Sequence, residues 1–545
     1  MEGMGVKVQI DQGIGSMVES WNRRRFYLLS AVLVAINLGL VAWTRWALLG
    51  FLVLGPLIAM GISDARQERH TILRNFPLLG RLRYFLESVR PEVRQYFVES
   101  DSDDLPFSRE KRSLVFQRAK GQVDTRPFGT LRDVNGVGYE WVNHSLVPKH
   151  PAPEAARLVI GGARALKPYS SSLLNVSAMS FGALSKNAIL ALNDGARRGG
   201  FAHNTGEGGL SPYHLEPGGD LIWQIGTGYF GCRNHDGSFD PALFRVKCSL
   251  PSVKMIELKL SQGAKPAHGG ILPAAKITQE IAEIRSVPLG KDVNSPPAHS
   301  AFVGPGGLVQ FIQTLRELSG GLPIGFKLCV GRPREWFAIV RAMHETGLYP
   351  DFITVDGGEG GTGAAPLEFI NSVGMPLGDG LALVHGSLVG LGIRNEVRVI
   401  ATGKVTSGFD ILRHIAIGAD GCNSARAMMF ALGCIQALKC NTNKCPTGVA
   451  TSDPALMYGL VPEQKAARVQ SFHQKTVQSF LELLGAAGLE HPDDLIADHV
   501  VRRVDAGRVQ SLAELYPRFE AGCLLAGECP EAYRDEWRRS SATRF

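Results

Sequence analysis

Three cysteines lie close together in the run GCIQALKCNTNKCPTGVAT: Cys434, Cys440 and Cys445. The spacing is C-x5-C-x4-C, and a proline follows the last cysteine. Thiolates are the usual protein ligands of iron–sulfur clusters, and closely spaced cysteines ending in Cys-Pro present them well. Three ligands suit a three-iron cluster better than a four-iron one. Buried cysteines otherwise act as small hydrophobes, but the Asn, Lys, Thr and Gly between these three make a poor core segment. Zinc is the rival metal, yet a structural zinc site wants four ligands and CxxC knuckles.

A second chemical signal is the loop VDGGEGGTGAAP (355–366), which follows a strand-like run and carries G-x-G-x-x-G at Gly358, Gly360 and Gly363. Alone it suggests a dinucleotide fold, but the other cues of that fingerprint are weak here. At the C-terminal end of a barrel strand, such a loop lets backbone N–H groups approach a phosphate or a flat ring. Taken alone, Lys265 and Arg285 read as solvated surface charge. Lys327, inside the strand-like IGFKLCV, is costly there without a partner.

The elements that must hold these residues alternate. Strand-like runs occur at 173–179, 255–260, 324–330, 352–356 and 397–403, with amphipathic stretches such as 308–318 and 335–345 between them. Ser185 is a good N-cap for KNAILALNDGARR, which Gly199 and Gly200 end. Strands alternating with helices over some 300 residues imply a parallel sheet. That length and regularity favour a closed (β/α)8 barrel. The predicted organisation is a tail (1–22), an apolar hairpin (23–64), an Arg-rich lead-in docking on the next domain (65–150), the barrel with its cysteine loop (151–480) and a helical, charged tail (481–545).

Residues 26–44 and 46–62 are two apolar stretches separated by Arg45. Each is near the length needed to span the hydrocarbon core as a helix. Arg23, Arg24 and Arg25 precede the first, and Arg66, Arg69 and Arg74 follow the second. The positive-inside rule then puts both ends in the cytoplasm, with a tight turn flanked by Trp43 and Trp46. The expectation is an inner-membrane protein with two transmembrane helices and a cytoplasmic catalytic domain. Across 545 residues the net charge is only +7, with no long polybasic block, so nucleic-acid binding is not indicated. Nine cysteines, an odd number with three assigned to a cluster, fit a reducing compartment.

Taken together, SAMSFGALS (177–185), HNTGEGG (203–209), SQGAKPAHGGILPAAKIT (261–278), GGEGGTGAAP and the cysteine run resemble, in order and spacing, the FMN-binding domain of glutamate synthases. The resemblance is strongest to the stand-alone, membrane-anchored branch. It implies a barrel holding FMN, with a three-iron cluster on cysteines matching Cys434, Cys440 and Cys445. The implied reaction reduces 2-iminoglutarate, made from 2-oxoglutarate and ammonia, to glutamate. By this resemblance Ser177, Ala178 and Met179 lie against the flavin, Lys327 favours its reduced anionic form, and Gly360, Gly361, Thr362 and Gly363 cradle it. Gln262, Lys265 and Arg285 hold the oxo acid, while Glu207 orients the imine nitrogen or relays its proton. Lys265 and Glu207 are the expected catalytic pair.

The chain departs from the family at His268 and Ile271, where members that make glutamate usually carry Glu and Gln. His268 reads either as a pH-sensitive substrate contact or as a plain loop residue, and Ile271 removes a polar contact. TGKVTSG (402–408) replaces a family phosphate loop, with Gly403 and Lys404, or Arg426, left to bind phosphate. Cys422 reads as core or as a fourth cluster ligand. No glutaminase domain and no pyridine-nucleotide site are legible. Ammonia is expected from solution or from a separate glutaminase-type chain, and electrons from a ferredoxin or a reductase subunit. The leading expectation is reductive amination of 2-oxoglutarate. Its rivals are the same chemistry on another amine or oxo acid, and a membrane electron-transfer module without amination.

Overall fold

Why this sequence closes a barrel is visible in its strands, most of whose residues are buried, as both-faced packing of parallel strands demands. The computed structural model describes residues 21–67, 70–98, 105–162 and 164–545. Eight parallel strands form the barrel: β1 (Leu174–Val176), β2 (His203–Asn204), β3 (Leu221–Ile225), β4 (Val253–Lys259), β5 (Ile324–Leu328), β6 (Phe352–Asp356), β7 (Arg398–Thr402) and β8 (Gly421–Ser424). Each pairs with its sequence neighbours, and β8 closes on β1 through Asn423 opposite Asn175. The expected (β/α)8 architecture is therefore present.

Local signals place the surrounding helices. Ser185 Oγ accepts from the Ala188 N–H at 3.2 Å, starting the helix Lys186–Gly199, and Gly200 ends it at φ +66°. Its outer neighbour is the long helix Pro462–Ala486, which closes the ring after the cysteine loop. Close approach here depends on Gly195, where a Cβ would lie 2.8 Å from the Val469 side chain. Between β4 and β5 the chain makes an excursion before its barrel helix Gly304–Leu318. It comprises a two-residue hairpin (Ile271–Leu272 with Val293–Asn294) and the short helix Gln279–Arg285.

Strand periodicity aims alternate side chains into the barrel. Glu257 of β4 is fully buried there and accepts from Asn204 Nδ2 at 2.8 Å, Gln224 Nε2 at 2.6 Å and Thr354 Oγ1 at 2.6 Å. Four strands thus share one satisfied carboxylate. Two residues further along, Lys259 reaches the C-terminal rim. Beyond the barrel, the tail contributes short helices and also two short strands, Val500–Arg503 and Val509–Ser511. The first of these pairs antiparallel with Glu140–Val142.

Residues 1–100 and 101–545 form two compact units. In the first, helices Arg23–Trp43 and Gly50–Arg66 are joined by a single 3-10 turn, Arg45–Leu49. By length and composition, helix Arg23–Trp43 and the helical segment Arg45–Arg66, which includes the 3-10 turn, could each cross a membrane. Small residues let them approach: a Cβ on Gly50 would lie 2.7 Å from Asn37 Oδ1, and one on Gly61 would strike the Phe26 ring. Trp43 and Trp46 at the turn are exposed.

Candidate active site

The C-terminal ends of the strands open into two clefts that share Ala178, Gln262, Gly361 and Arg426. The first gathers charge. Glu207, in the loop after β2, accepts from Lys259 Nζ at 2.7 Å through Oε1. Its carboxylate is packed so closely that a Cβ on Gly226 would lie 2.5 Å from Oε2. Burial favours its neutral form, but the charge and hydrogen bond of Lys259, with Arg285 and Lys265 behind, hold its pKa below the usual value.

Lys265 and Arg285 line the same cleft and are both buried. Burial and the neighbouring Lys259 ammonium push the Lys265 pKa down to about 8, against the pull of Glu207. Lys265 Nζ donates to the Ala364 carbonyl at 2.8 Å, tying this loop to the glycine-rich one. Burial lowers Arg285 to about 10 despite Glu207. Its Nη2 donates to the Phe181 carbonyl at 2.9 Å, while its buried Nε has no hydrogen-bond partner among the described residues. An unpaired buried donor of this kind costs about 1–3 kcal/mol, a penalty that an anionic ligand would relieve. The geometry suits a small dianion near one carboxylate.

The second cleft suits a phosphorylated, planar group. Its walls include Ser177, Lys327, Asp356, Gly360, Gly403, Lys404 and Ser424. Burial works against the Lys327 charge, but Asp356 at 3.0 Å and Glu257 outweigh it and raise its pKa. The same Asp356 Oδ2 accepts from the Gly263 N–H at 3.0 Å. A Cβ at Gly263 would collide with the Gly357 carbonyl, and one at Gly361 would lie 2.8 Å from Arg426 Nε. Only glycine leaves this backbone open to a flat ring. Ser177 Oγ sits 3.2 Å from Thr402 Oγ1. Gly361 lies at the join, with Thr362, Gly363 and Met179 facing the first cleft.

Cys434, Cys440 and Cys445 follow on the loop after the helix Arg426–Leu432. Cys445 is buried and the other two are half-buried. Among the described residues, no three His, Cys, Asp or Glu side chains converge to hold a single metal ion. A cluster places its irons and sulfides between the thiolates and needs them further apart than one ion does. The donor set fits such a group. Cys445 is held below the usual thiol pKa: burial opposes this, but Thr447 and the N–H groups of Ala450, Thr447 and Val449 outweigh it. Burial pushes Cys434 up to about 11. Cys440 lies 4.0 Å from Arg426 Nη1, and Arg426 Nη2 also donates to the Thr362 carbonyl. Cys422 is fully buried in β8, where burial raises its thiol pKa.

Not every residue predicted for the site faces it. His268 does not line either cleft; its ring lies edge-on to Phe369, 5.4 Å between centroids, and Nδ1 is 3.1 Å from the Gly269 carbonyl. Ile271 does line the first cleft. Among the cleft residues not expected from the sequence, Lys259, Lys276 and Phe107 stand out. Lys259 had a signal in its i+2 position from Glu257 on one strand. Lys276, within the AAK of the 261–278 segment, and Phe107, in the lead-in, gave none, since distant segments create their surroundings. Phe107 lines the second cleft, packs edge-on against Phe430 at 5.4 Å and faces Lys404 Nζ at 5.8 Å.

The family profile described as "Conserved region in glutamate synthase" matches residues 162–490. The "Glutamate synthase large subunit-like protein YerD" of Bacillus subtilis is 38% identical over 499 residues, covering 84% of this chain and 94% of that one. The "Archaeal glutamate synthase [NADPH]" of Methanocaldococcus jannaschii is 36% identical over 322 residues, covering 59% of this chain and 60% of that one. The "Glutamate synthase [NADPH] large chain" of Azospirillum brasilense is 29% identical over 430 residues; the match spans 26% of its length.

Proposed function

Given that the chain belongs to the glutamate synthase family, an oxidoreductase family acting on CH–NH2 donors, we propose that it converts 2-oxoglutarate and ammonia, through 2-iminoglutarate, to glutamate. FMN would occupy the second cleft, and an iron–sulfur cluster would sit on Cys434, Cys440 and Cys445. The observation carrying this reading is the convergence of Lys259, Lys265 and Arg285 around Glu207, beside a glycine-lined cleft that holds Lys327.

When bound, FMN supplies the two-electron reduction of the imine, and the cluster supplies the single electrons that recharge it. The protein's own residues do the rest. Arg285 and Lys265 neutralise the two carboxylates and fix the carbon chain. Glu207, kept anionic by Lys259, stabilises a protonated imine nitrogen, which leaves the adjacent carbon electron-poor. Lys327, kept cationic by Asp356 and Glu257, would favour negative charge on the reduced ring beside it. Gly403, Lys404 and Arg426 would receive the phosphate.

The two apolar helices would cross the inner membrane as a hairpin and leave the barrel in the cytoplasm. Electrons would come from a ferredoxin-type protein or a reductase subunit, and ammonia from solution or a glutaminase-type chain. Ile271 in the first cleft favours a second reading, in which the oxo acid or the amine differs. The test is to photoreduce the purified protein without air and add oxo acids with and without ammonium. Flavin reoxidation that needs both 2-oxoglutarate and ammonium, with glutamate formed, supports the first reading. Reoxidation by another oxo acid alone supports the second, and reoxidation only by a quinone would overturn both.

A further inference from the structure

Lys276 is 3% exposed and stands between the first cleft and the cysteine loop. Its ammonium donates to three carbonyls, Ala183 at 2.6 Å, Cys440 at 3.2 Å and Ala450 at 3.3 Å. These come from the loop after β1 and from two points of the cysteine loop, its middle and its far end, so one side chain pins that loop to the barrel. Neutral carbonyls satisfy its hydrogens but do not balance its charge. Among the described residues no ion pair involves it, and the Arg285 charge repels it. A buried ammonium with no carboxylate is strongly disfavoured. It is tolerable where a permanent negative charge arrives with another group.

We propose that Lys276 is the counter-cation of the iron–sulfur cluster and a positioning residue that raises the cluster's reduction potential. The inference rests on the cluster reading given above. Each reduction adds one negative charge to a site screened from water. A fixed positive charge beside it therefore stabilises the reduced state more than the oxidised one. The three-carbonyl tripod keeps the ammonium from turning out to solvent, and its place on the cleft wall lets it act on both centres.

The experiment is a redox titration of the full-length holoprotein, prepared without air. Electron paramagnetic resonance follows the cluster, and absorbance follows the flavin. Lys276→Met, which keeps an unbranched side chain one atom shorter and removes its charge, should shift the cluster potential to more negative values. Lys276→Arg should leave it close to the parent. An unshifted Lys276→Met potential, or an equal shift in Lys276→Arg, would overturn the proposal, the latter by showing that packing rather than charge is responsible. If Lys276→Met fails to load a cluster, Lys276→Gln takes its place beside Lys276→Arg: a negative shift in Lys276→Gln alone supports the proposal, and no shift or an equal one overturns it. A parent protein with no cluster signal under any condition would overturn the cluster reading itself, and this inference with it; a normal signal with an unmoved potential sinks only the role of Lys276.

Discussion

Lys259 Nζ and Glu207 Oε1 are 2.7 Å apart, a pair that reaches from the end of β4 over β3 to the loop after β2. Lys259 is the strongest influence holding the Glu207 carboxyl below its usual pKa against burial. Lys259→Met should therefore raise that pKa and move the acid limb of the kcat/KM profile to higher pH. The rate at neutral pH should fall on the order of 10- to 100-fold. An acid limb that stays in place would show that Glu207 is not the group titrating.

Lys265 should set the alkaline limb. Its pKa near 8 in the free protein means that the charge needed to hold a carboxylate is present below that pH and lost above it. The oxo-acid KM should rise as pH passes about 8, and Lys265→Arg should carry tight binding to higher pH because guanidinium stays charged. Flavin reoxidation measured against oxo-acid concentration at several pH values checks this. A bound dianion will raise the Lys265 pKa, so the limb should lie higher in kcat than in kcat/KM.

Arg285→Ala should weaken oxo-acid binding by about 3 kcal/mol, on the order of 100-fold in KM, as a charge-assisted pair is lost. Arg285→Lys should recover only part, since an ammonium cannot make two parallel bonds. Unchanged affinity in Arg285→Ala would count against an acidic substrate in this cleft.

Phe107 should matter for flavin retention despite its distance in sequence from the barrel. Phe107→Ala removes a wall of the second cleft and the ring facing Lys404. Flavin affinity should fall roughly tenfold, about 1.4 kcal/mol. Fluorescence of released flavin on dilution measures this, and equal retention would reduce the residue to a packing role.

What the sequence disclosed follows from how local each signal was. IGFKLCV and FITVD read as strands because parallel strands buried on both faces are nearly unbroken apolar runs. The cap at Ser185 and the stop at Gly200 are local as well, and both are in place. By contrast, the surroundings of Lys276 combine residues 183, 440 and 450, and those of Phe107 combine 404, 430 and 436. No window along the chain contains such neighbours. His268 reads as a contact or a loop residue because it stands where glutamate-forming members of the family usually carry Glu. Loop geometry turns its ring onto Phe369 instead.

Arg426 reaches the Thr362 carbonyl on one side and the Cys440 sulfur on the other. A single guanidinium thus steadies both the glycine-rich loop and the cysteine loop. On the proposed reading of these two sites, loading of flavin and of cluster would be interdependent. A polypeptide made under iron starvation, with Cys440 free to wander, would hold its glycine loop less firmly and accumulate short of flavin as well as of iron.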